Sequence, residues 1–188
     1  MTKIISFANQ KGGVGKTTTA VNLSAALAEA GQSVLAIDFD PQGNLSSGLG
    51  IDKLNTEKTI YEVIIGDENI NDAILSTEVE NLDIIPSNVD LSGAEIELLE
   101  LEDRERTLRR KISEIYKEYD YIIIDCPPSL SLLTINAFMA SDSVVIPIQC
   151  EYYALEGLNQ MLRTVNLIRE RLNPTLEIEG IVFTMYDA

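Results

Sequence analysis

The stretch Asn9–Thr18, which reads NQKGGVGKTT, decides the fold of this chain. It lies between a short apolar run, Ile4–Ala8, and a segment of helical periodicity, Lys16–Ala30. The stretch fits the phosphate-loop pattern G-x-x-x-x-G-K-[ST] at every position except the first glycine, where Gln10 stands. A strand, a glycine-rich turn and a helix in this order predict an anion site at the helix N-terminus.

The residues of this turn have the chemistry that a nucleoside triphosphate requires. Gly12, Gly13 and Gly15 can adopt backbone torsions closed to other residues, so successive amides can point at phosphate oxygens. Lys16 adds a positive charge between the β- and γ-phosphates, and the Thr17 hydroxyl suits Mg²⁺. The plainer alternative is a glycine-rich turn with a surface lysine. A Rossmann dinucleotide site is disfavoured, because its G-x-G-x-x-G spacing is not matched.

Outward from this turn, short apolar runs alternate with longer segments of helical periodicity. Most runs are apolar at consecutive positions, as expected for strands covered on both faces. The pattern predicts an α/β fold, a doubly wound, mainly parallel sheet with helices on both faces. Strands are predicted at Ile4–Ala8, Ser33–Ile37, Leu82–Ile85, Tyr121–Ile124, Ser143–Ile148 and Ile178–Met185. Helices are predicted at Lys16–Ala30, Leu91–Leu101, Glu105–Lys117, Leu130–Ala140 and Ala154–Leu172, with short ones near Ile60–Ile64 and Asn71–Leu75.

The length of 188 residues is that of one domain with a sizeable core, so we expect residues 1–188 to form a single domain. The chain stops directly after the last predicted strand, at Asp187 and Ala188. A sheet edge left there without a covering helix would be exposed. The expectation is therefore that a C-terminal portion of the domain is missing.

Composition excludes several classes of function. The chain has 30 acidic and 14 basic residues, a net charge of −16, and no histidine. This charge opposes unaided binding to nucleic acid or anionic lipid, because both are negative. Without histidine, a Ser-His-Asp triad is excluded, and catalysis must use carboxylates, lysines, a metal or backbone dipoles. Cys126 and Cys150 form neither a disulfide framework nor a metal-ligand cluster, which favours a reducing cytoplasm.

The segment from Lys11 to Thr18 is similar to the deviant Walker A motif of the ParA/MinD family of P-loop ATPases. Lys11 is the diagnostic residue of that motif. The resemblance implies that Lys11 reaches across a nucleotide-sandwiched dimer to the partner's phosphates and neutralises transition-state charge there. Taken without the family, a solvated loop lysine explains Lys11 equally well.

Two further segments resemble motifs of the same family. Ala36–Asn44, AIDFDPQGN, resembles its second motif, and Tyr121–Ser129, YIIIDCPPS, resembles its Walker B strand. The resemblance implies that Asp125 holds Mg²⁺ through a water and that Asp40 orients the attacking water. It also implies that Asp38 supports the metal, although a carboxylate capping a loop amide explains Asp38 nearly as well.

The resemblance covers essentially the whole chain and is most marked for the ParA/Soj partition branch. It implies ATP/ADP and Mg²⁺ as cofactors and an ATP-dependent dimerising switch for chromosome or plasmid partition. Hydrolysis would be slow and stimulated by a ParB/Spo0J-type partner. The full-length protein would bind DNA non-specifically on the nucleoid in the cytoplasm, without a membrane. The residues implied are Lys11, Gly12, Gly13, Val14, Gly15, Lys16, Thr17 and Thr18 for ATP, Thr17, Asp38 and Asp125 for the metal, and Lys11, Lys16 and Asp40 for catalysis.

Two rival functions remain open from the sequence. A MinD-like switch would require a membrane-binding amphipathic tail. A relative of the nitrogenase iron protein would require cluster-ligating cysteines near the dimer axis, and the positions of Cys126 and Cys150 suit this poorly.

Overall fold

The structure is a computed structural model that describes residues 2–53, 55–66, 68–151 and 154–186. In these ranges seven strands form one sheet in the order β3-β4-β2-β5-β1-β6-β7. Every neighbouring pair is parallel except β3 and β4, which are antiparallel. The strands are β1 Lys3–Phe7, β2 Val34–Asp38, β3 Leu75–Ser76, β4 Leu82–Ile85, β5 Tyr121–Asp125, β6 Ser143–Gln149 and β7 Glu177–Thr184.

Helices connect the strands and cover the sheet. They are α1 Lys16–Glu29, α2 Asn44–Gly48, α3 Ile60–Ile65, α4 Leu91–Glu97, α5 Thr107–Ile112, α6 Leu132–Ala140 and α7 Ala154–Arg171. Short 3₁₀ turns lie at Ile70–Ala73, Leu98–Glu100 and Arg104–Arg106. No helix in the described ranges is long and apolar enough to cross a membrane.

The sheet separates two layers of apolar packing. In β2, Val34 and Ala36 pack with α1, whereas Leu35 and Ile37 pack on the other face with α4, α5, α6 and α7. All five residues of β2 are buried, because a central parallel strand is covered on both sides. The predicted doubly wound, mainly parallel α/β fold is confirmed.

Two predicted helices are wrong in extent or type. The helix predicted at Glu105–Lys117 is shorter, because α5 ends at Ile112 and the chain beyond it bonds to the side chain of Asn71. The side-chain oxygen Oδ1 of Asn71 accepts from the Tyr116 amide at 2.9 Å, and the side-chain NH₂ donates to the Glu114 backbone carbonyl at 2.9 Å. The helix predicted at Asn71–Leu75 is a 3₁₀ turn followed by the edge strand β3.

The edge strand β7 is largely exposed. Ile181 and Val182 are more than a third exposed and Phe183 is two-thirds exposed. Lys3 at the start of β1 forms an ion pair with Glu179 of this strand, with 2.7 Å between Nζ and Oε2. Charged residues at a sheet edge oppose unwanted strand pairing.

Asn136 on α6 fixes the start of α5. Its side-chain oxygen accepts from the Leu108 amide at 3.1 Å, and its NH₂ donates to the carbonyls of Arg104 at 2.8 Å and Leu132 at 3.0 Å. The side chain is fully buried, so water does not replace these bonds when they are lost.

We expect Asn136→Ala to lower the free energy of unfolding by about 2–4 kcal/mol, because the buried partners of this side chain lose their hydrogen bonds. Urea unfolding followed by circular dichroism measures the change. Asn166→Ala, on the exposed face of α7, is the matched control and should change stability by less than about 0.5 kcal/mol. Equal effects of the two substitutions would contradict this role.

Candidate nucleotide site

The site lies at the carboxyl ends of β1, β2 and β5. Because these strands pair in parallel, Asp38 and Asp125 are register partners, and Phe7 at the end of β1 is aligned with Asp125. The loops that follow the three strands therefore open at one edge of the sheet, where ligands bind in open α/β folds.

A cleft of about 390 Å³ opens at this edge. It combines backbone of the glycine-rich turn, one cation, hydroxyls and a carboxylate, which is a polar set suited to phosphate rather than to an apolar ligand. Its lining residues are Gly12, Gly13, Gly15, Lys16, Thr17, Thr18, Asp40, Gln42, Asn44, Pro128 and Met185.

The glycine-rich turn has the backbone conformation that the sequence predicts. Gly13 and Gly15 have φ angles of 73° and 83°, in the left-handed region that favours glycine. Gly15 directly precedes α1, and no side chain caps this helix. The helix N-terminus therefore presents its amides and the positive end of its dipole to the cleft.

Two residues outside the motif anchor the turn. The Asn9 side chain donates to the Pro147 carbonyl of β6 at 2.7 Å and accepts from the Lys11 amide at 3.0 Å. The Thr184 hydroxyl at the end of β7 donates to the Val14 carbonyl at 2.8 Å. Sequence reasoning assigned no role to either anchor, because both depend on strands distant in sequence.

Lys16 is buried at the base of the cleft, where 6% of the residue is exposed. Its ammonium lies 3.4 Å from the Lys11 carbonyl oxygen. Burial lowers the pKa of Lys16, and the carboxylates of Asp125 and Asp40 partly oppose that shift. A buried cation facing a polar cleft is suited to an anionic ligand.

Thr17 and Asp125 are in direct contact. The Thr17 hydroxyl donates to Asp125 Oδ2 at 2.6 Å. Asp125 is fully buried, and its other oxygen, Oδ1, has no hydrogen-bond partner among the described residues. Burial raises the pKa of Asp125 to about 8, the bond from Thr17 opposes the rise, and Asp38 and Asp40 add to it.

This pair fits a magnesium site. A buried carboxylate oxygen without a partner among the described residues, beside a hydroxyl of a residue that lines the cleft, offers the oxygen ligands that Mg²⁺ prefers. Within the described ranges no group of three or more cysteines or acidic residues is arranged to hold a metal by itself. Mg²⁺ usually binds through one or two protein oxygens, waters and substrate phosphates, so the two observations agree.

Asp38 is buried beside Asp125 but is occupied by other bonds. Its Oδ2 accepts from the Ser46 amide at 2.7 Å and the Ser46 hydroxyl at 2.6 Å, and its Oδ1 lies 3.3 Å from the Asp40 amide. Burial raises the pKa of Asp38 to about 6 against these bonds. The contacts favour the loop-capping alternative, and a role at the metal stays a prediction.

Asp40 faces the cleft and is held by its own turn. Its Oδ1 accepts from the Gln42 amide at 2.9 Å, and its carbonyl accepts from the Gly43 amide at 2.9 Å. Burial raises the pKa of Asp40, while the charges of Lys16 and Lys53 oppose the rise. The carboxylate is thus held at the wall of the cleft that the glycine-rich turn also lines.

Lys11 points away from the cleft, toward the end of β6. Its ammonium donates to Glu151 Oε2 at 2.9 Å and to Gln149 Oε1 at 3.1 Å, and its side chain is half exposed. The backbone of Lys11 belongs to the turn, but Lys11 is not among the residues that line the cleft.

The two cysteines differ in their surroundings. Cys126 follows Asp125 and is fully buried, and burial raises the pKa of its thiol. Cys150 lies between Gln149 and Glu151 and is exposed. Cys126 therefore fills space in the core as a small apolar side chain.

Comparisons with known proteins agree with this geometry. The AAA domain family matches residues 2–178. The sporulation initiation inhibitor protein Soj of Bacillus subtilis is 59% identical over 188 residues, which span this whole chain and 74% of that protein. The chromosome partitioning protein ParA of Myxococcus xanthus is 54% identical over 99% of this chain and 66% of that protein.

One solved structure is similar throughout. Cobyrinic acid a,c-diamide synthase from Mycobacterium smegmatis, with bound ATP analog and magnesium, superposes with a TM-score of 0.95 at 42% identity. The match covers 100% of this chain and 77% of that chain. The chain thus spans between 66% and 77% of the length of these three proteins.

We expect Asp125→Asn to stabilise the ligand-free protein most at alkaline pH. The folded-state pKa of Asp125 is raised from 3.8 to about 8, so the folded protein holds this proton more tightly than the unfolded chain does. This preference stabilises the fold fully below pH 3.8, and the stabilisation is lost as pH rises toward 8. Asparagine does not titrate. The melting temperature of the variant should exceed the parent's by at least about 3 °C at pH 8, and the difference should vanish toward pH 4.

Asp83→Asn is a control of opposite sign. Burial alone would raise the pKa of Asp83, but bonds from Lys117 and Tyr119, each 2.7 Å long, lower it overall. This variant should lose stability at neutral pH and recover toward the parent in acid. If the difference in melting temperature between Asp125→Asn and the parent did not change with pH, the raised pKa of Asp125 would be contradicted.

Proposed function

Because the chain belongs to the ParA/Soj family of partition ATPases, we propose that it is a switch that binds Mg-ATP, dimerises around it and hydrolyses it slowly. The hydrogen bond from Thr17, which lines the cleft, to the buried Asp125 carries the proposal. It joins the first residues of α1 to the end of β5, and it leaves one buried carboxylate oxygen for a cation. Residues 1–188 act as one ATPase domain in this proposal.

The triphosphate binds along the glycine-rich turn. Amides of residues 12–15 and the N-terminus of α1 donate to its oxygens, and Lys16 contributes the buried positive charge. Val14 lies within this turn, and Thr18 lies in the first turn of α1. ATP rather than another nucleotide is proposed from the family.

Thr17 and Asp125 hold Mg²⁺ in this proposal, Asp125 through a water, and Asp38 supports them through the loop that it caps. When bound, Mg²⁺ neutralises negative charge on the β- and γ-phosphates. The raised pKa of Asp125 is consistent with a carboxyl group that lacks a neighbouring positive charge until Mg²⁺ binds together with the nucleotide.

Asp40 acts on the attacking water. Its carboxylate lines the cleft and is fixed by the Gln42 amide, so it can accept a hydrogen bond from a water that attacks the γ-phosphate. The protein's contribution to phosphoryl transfer is then positioning by Asp40 and charge neutralisation by Lys16 and the turn amides.

Lys11 completes the site of the partner subunit in the dimer. For this the ammonium must leave Glu151 and Gln149 of its own chain. The pair with Glu151 is half exposed on both sides, and such surface pairs contribute only about 0–1 kcal/mol. The contact therefore presents little barrier to an exchange of partners.

A ParB/Spo0J-type protein stimulates hydrolysis and resets the switch, and the ATP-bound dimer of the full-length protein binds DNA on the nucleoid in the cytoplasm. The net charge of −16 requires that DNA contacts come from a local basic surface. We favour partition over a biosynthetic reaction because relatives named for partition are more similar in sequence than the synthase is.

Lys11→Ala should lose ATP hydrolysis on the order of 10³-fold while still binding ATP, because an in-trans cation acts on the transition state. Phosphate release and binding of a fluorescent ATP analogue measure the two effects. Lys3→Ala removes another exposed, ion-paired lysine and is the matched control, with hydrolysis expected to be unchanged. Hydrolysis by Lys11→Ala at the parental rate would show that Lys11 has no such role.

Asp40→Ala should keep ATP-dependent dimerisation and lose at least about 10²-fold in turnover, because only the orientation of water is removed. Light scattering with and without Mg-ATP measures the dimer, and phosphate release measures turnover. Asp90→Ala, at an exposed position where the side chain makes no helix cap, is the control. Loss of ATP binding by Asp40→Ala would exclude the assigned role.

A further inference from the structure

Lys53, which follows α2, forms hydrogen bonds to the turn Asp40–Gly43. Its ammonium donates to the Gln42 carbonyl at 2.5 Å and to the Gly43 carbonyl at 3.3 Å. Hydrogen bonds from a charged donor are shorter and stronger than neutral ones. Two such bonds from one side chain therefore fix two successive peptide groups of a four-residue turn.

The stem of Lys53 also packs against this turn. Gly43 has a φ of 62°, and a Cβ there would lie 2.9 Å from Lys53 Cδ and 2.8 Å from the Ser87 carbonyl oxygen. The space beside Gly43 is thus filled by the Lys53 side chain and by the loop that follows β4. No larger residue fits this position without moving one of the two.

The opposite side of the turn is held by buried hydrogen bonds. Ser46 donates to Asp38 through its amide and hydroxyl, and its hydroxyl oxygen accepts from the Ser87 amide at 3.0 Å. These bonds fix the ends of the turn to β2 and to the loop after β4. Lys53 is the contact that holds its outer side.

Lys53 fixes the Gln42–Gly43 peptide group, whose N–H closes the turn that holds Asp40, and the neighbouring Pro41–Gln42 peptide group supplies the N–H that orients the Asp40 carboxylate. The Gln42 amide donates to Asp40 Oδ1, and the Gly43 amide donates to the Asp40 carbonyl. Rotation of the Gln42–Gly43 peptide group would open the turn and disturb the adjoining Gln42 amide, which would move the carboxylate relative to the cleft. A displacement of about 1 Å at a reacting group can cost on the order of 10²-fold in rate.

Lys53 itself lies outside the nucleotide cleft. The described residues that line the cleft include Asp40 and Gln42 but not Lys53. Lys53 borders a separate cavity of about 380 Å³ with Pro41, Gln42, Asn88, Val89 and Ser92. Lys53 therefore acts on hydrolysis without contacting phosphate, by holding the turn and by placing its charge near Asp40.

We propose that Lys53 is a positioning residue for hydrolysis, which holds the Asp40–Gly43 turn so that the Asp40 carboxylate meets the attacking water. The inference rests on the proposed function of Asp40. An ordinary surface lysine pairs with carboxylates, as Lys58 does with Glu68 and Asp72. The ammonium of Lys53 instead donates to two backbone carbonyls beside the site.

Lys53→Met tests the role, because it removes the ammonium and keeps the length of the stem. The kcat for ATP should fall on the order of 10- to 100-fold, with KM and the Kd of an ATP analogue within about twofold of the parent. Lys53→Arg should restore kcat to within about threefold, because it keeps the charged donor. Lys58→Met is the matched control and should leave kcat unchanged.

Hydrogen–deuterium exchange of the peptide covering residues 40–46 provides a readout that needs no turnover. Lys53→Met should speed exchange of the Gln42 and Gly43 amides about tenfold in the nucleotide-free protein, and Lys58→Met should not. Parental kcat, a fall in kcat matched by a rise in the Kd of the analogue, or unchanged exchange would each overturn the inference. If the parent hydrolyses no ATP, the proposed function fails, whereas exchange still decides whether Lys53 holds the turn.

Discussion

Parallel pairing of β1, β2 and β5 is the constraint on which the rest of the structure depends. Strands covered on both faces have no place for charge along their length, so ionisable groups collect where the strands end. The register then brings those ends level, with Asp38 opposite Asp125 and the glycine-rich turn beside both. The cleft is a consequence of this alignment, and α1 adds its N-terminus because it starts directly after the turn.

The same arrangement leaves the site electrostatically incomplete without a ligand. Burial raises the pKa values of Asp38, Asp40 and Asp125 and lowers that of Lys16, so each group is harder to charge than in water. A cation and a polyanion that arrive together relieve both kinds of cost. Binding of such a pair to the folded state alone raises its stability by mass action, which couples occupancy of the cleft to rigidity of the loops around it.

Features decided by local chemistry could be predicted from the sequence. The turn at residues 9–18, the central strands and the acids at strand ends follow from glycine, β-branched runs and the polar residues that terminate them. Features decided by distant partners could not. Asn71 holds the chain after α5 from more than forty residues away, and Ser46 donates to Asp38 from within the unpredicted helix α2. Asn9 and Thr184 anchor the turn to strands that only the fold brings near. In the single chain the Lys11 ammonium bonds to Glu151 and Gln149, and its reach to the phosphates of a partner subunit stays a prediction.

The contrast between the two cysteines gives the molecule a natural attachment point for a dye. Cys126 is enclosed in the core beside Asp125, and its raised pKa keeps the thiol unreactive, whereas Cys150 is exposed. Cys150 stands between the two side chains that accept hydrogen bonds from Lys11. A fluorophore coupled there through a maleimide sits beside that contact, so its emission can follow the departure of Lys11 in real time without any engineered residue.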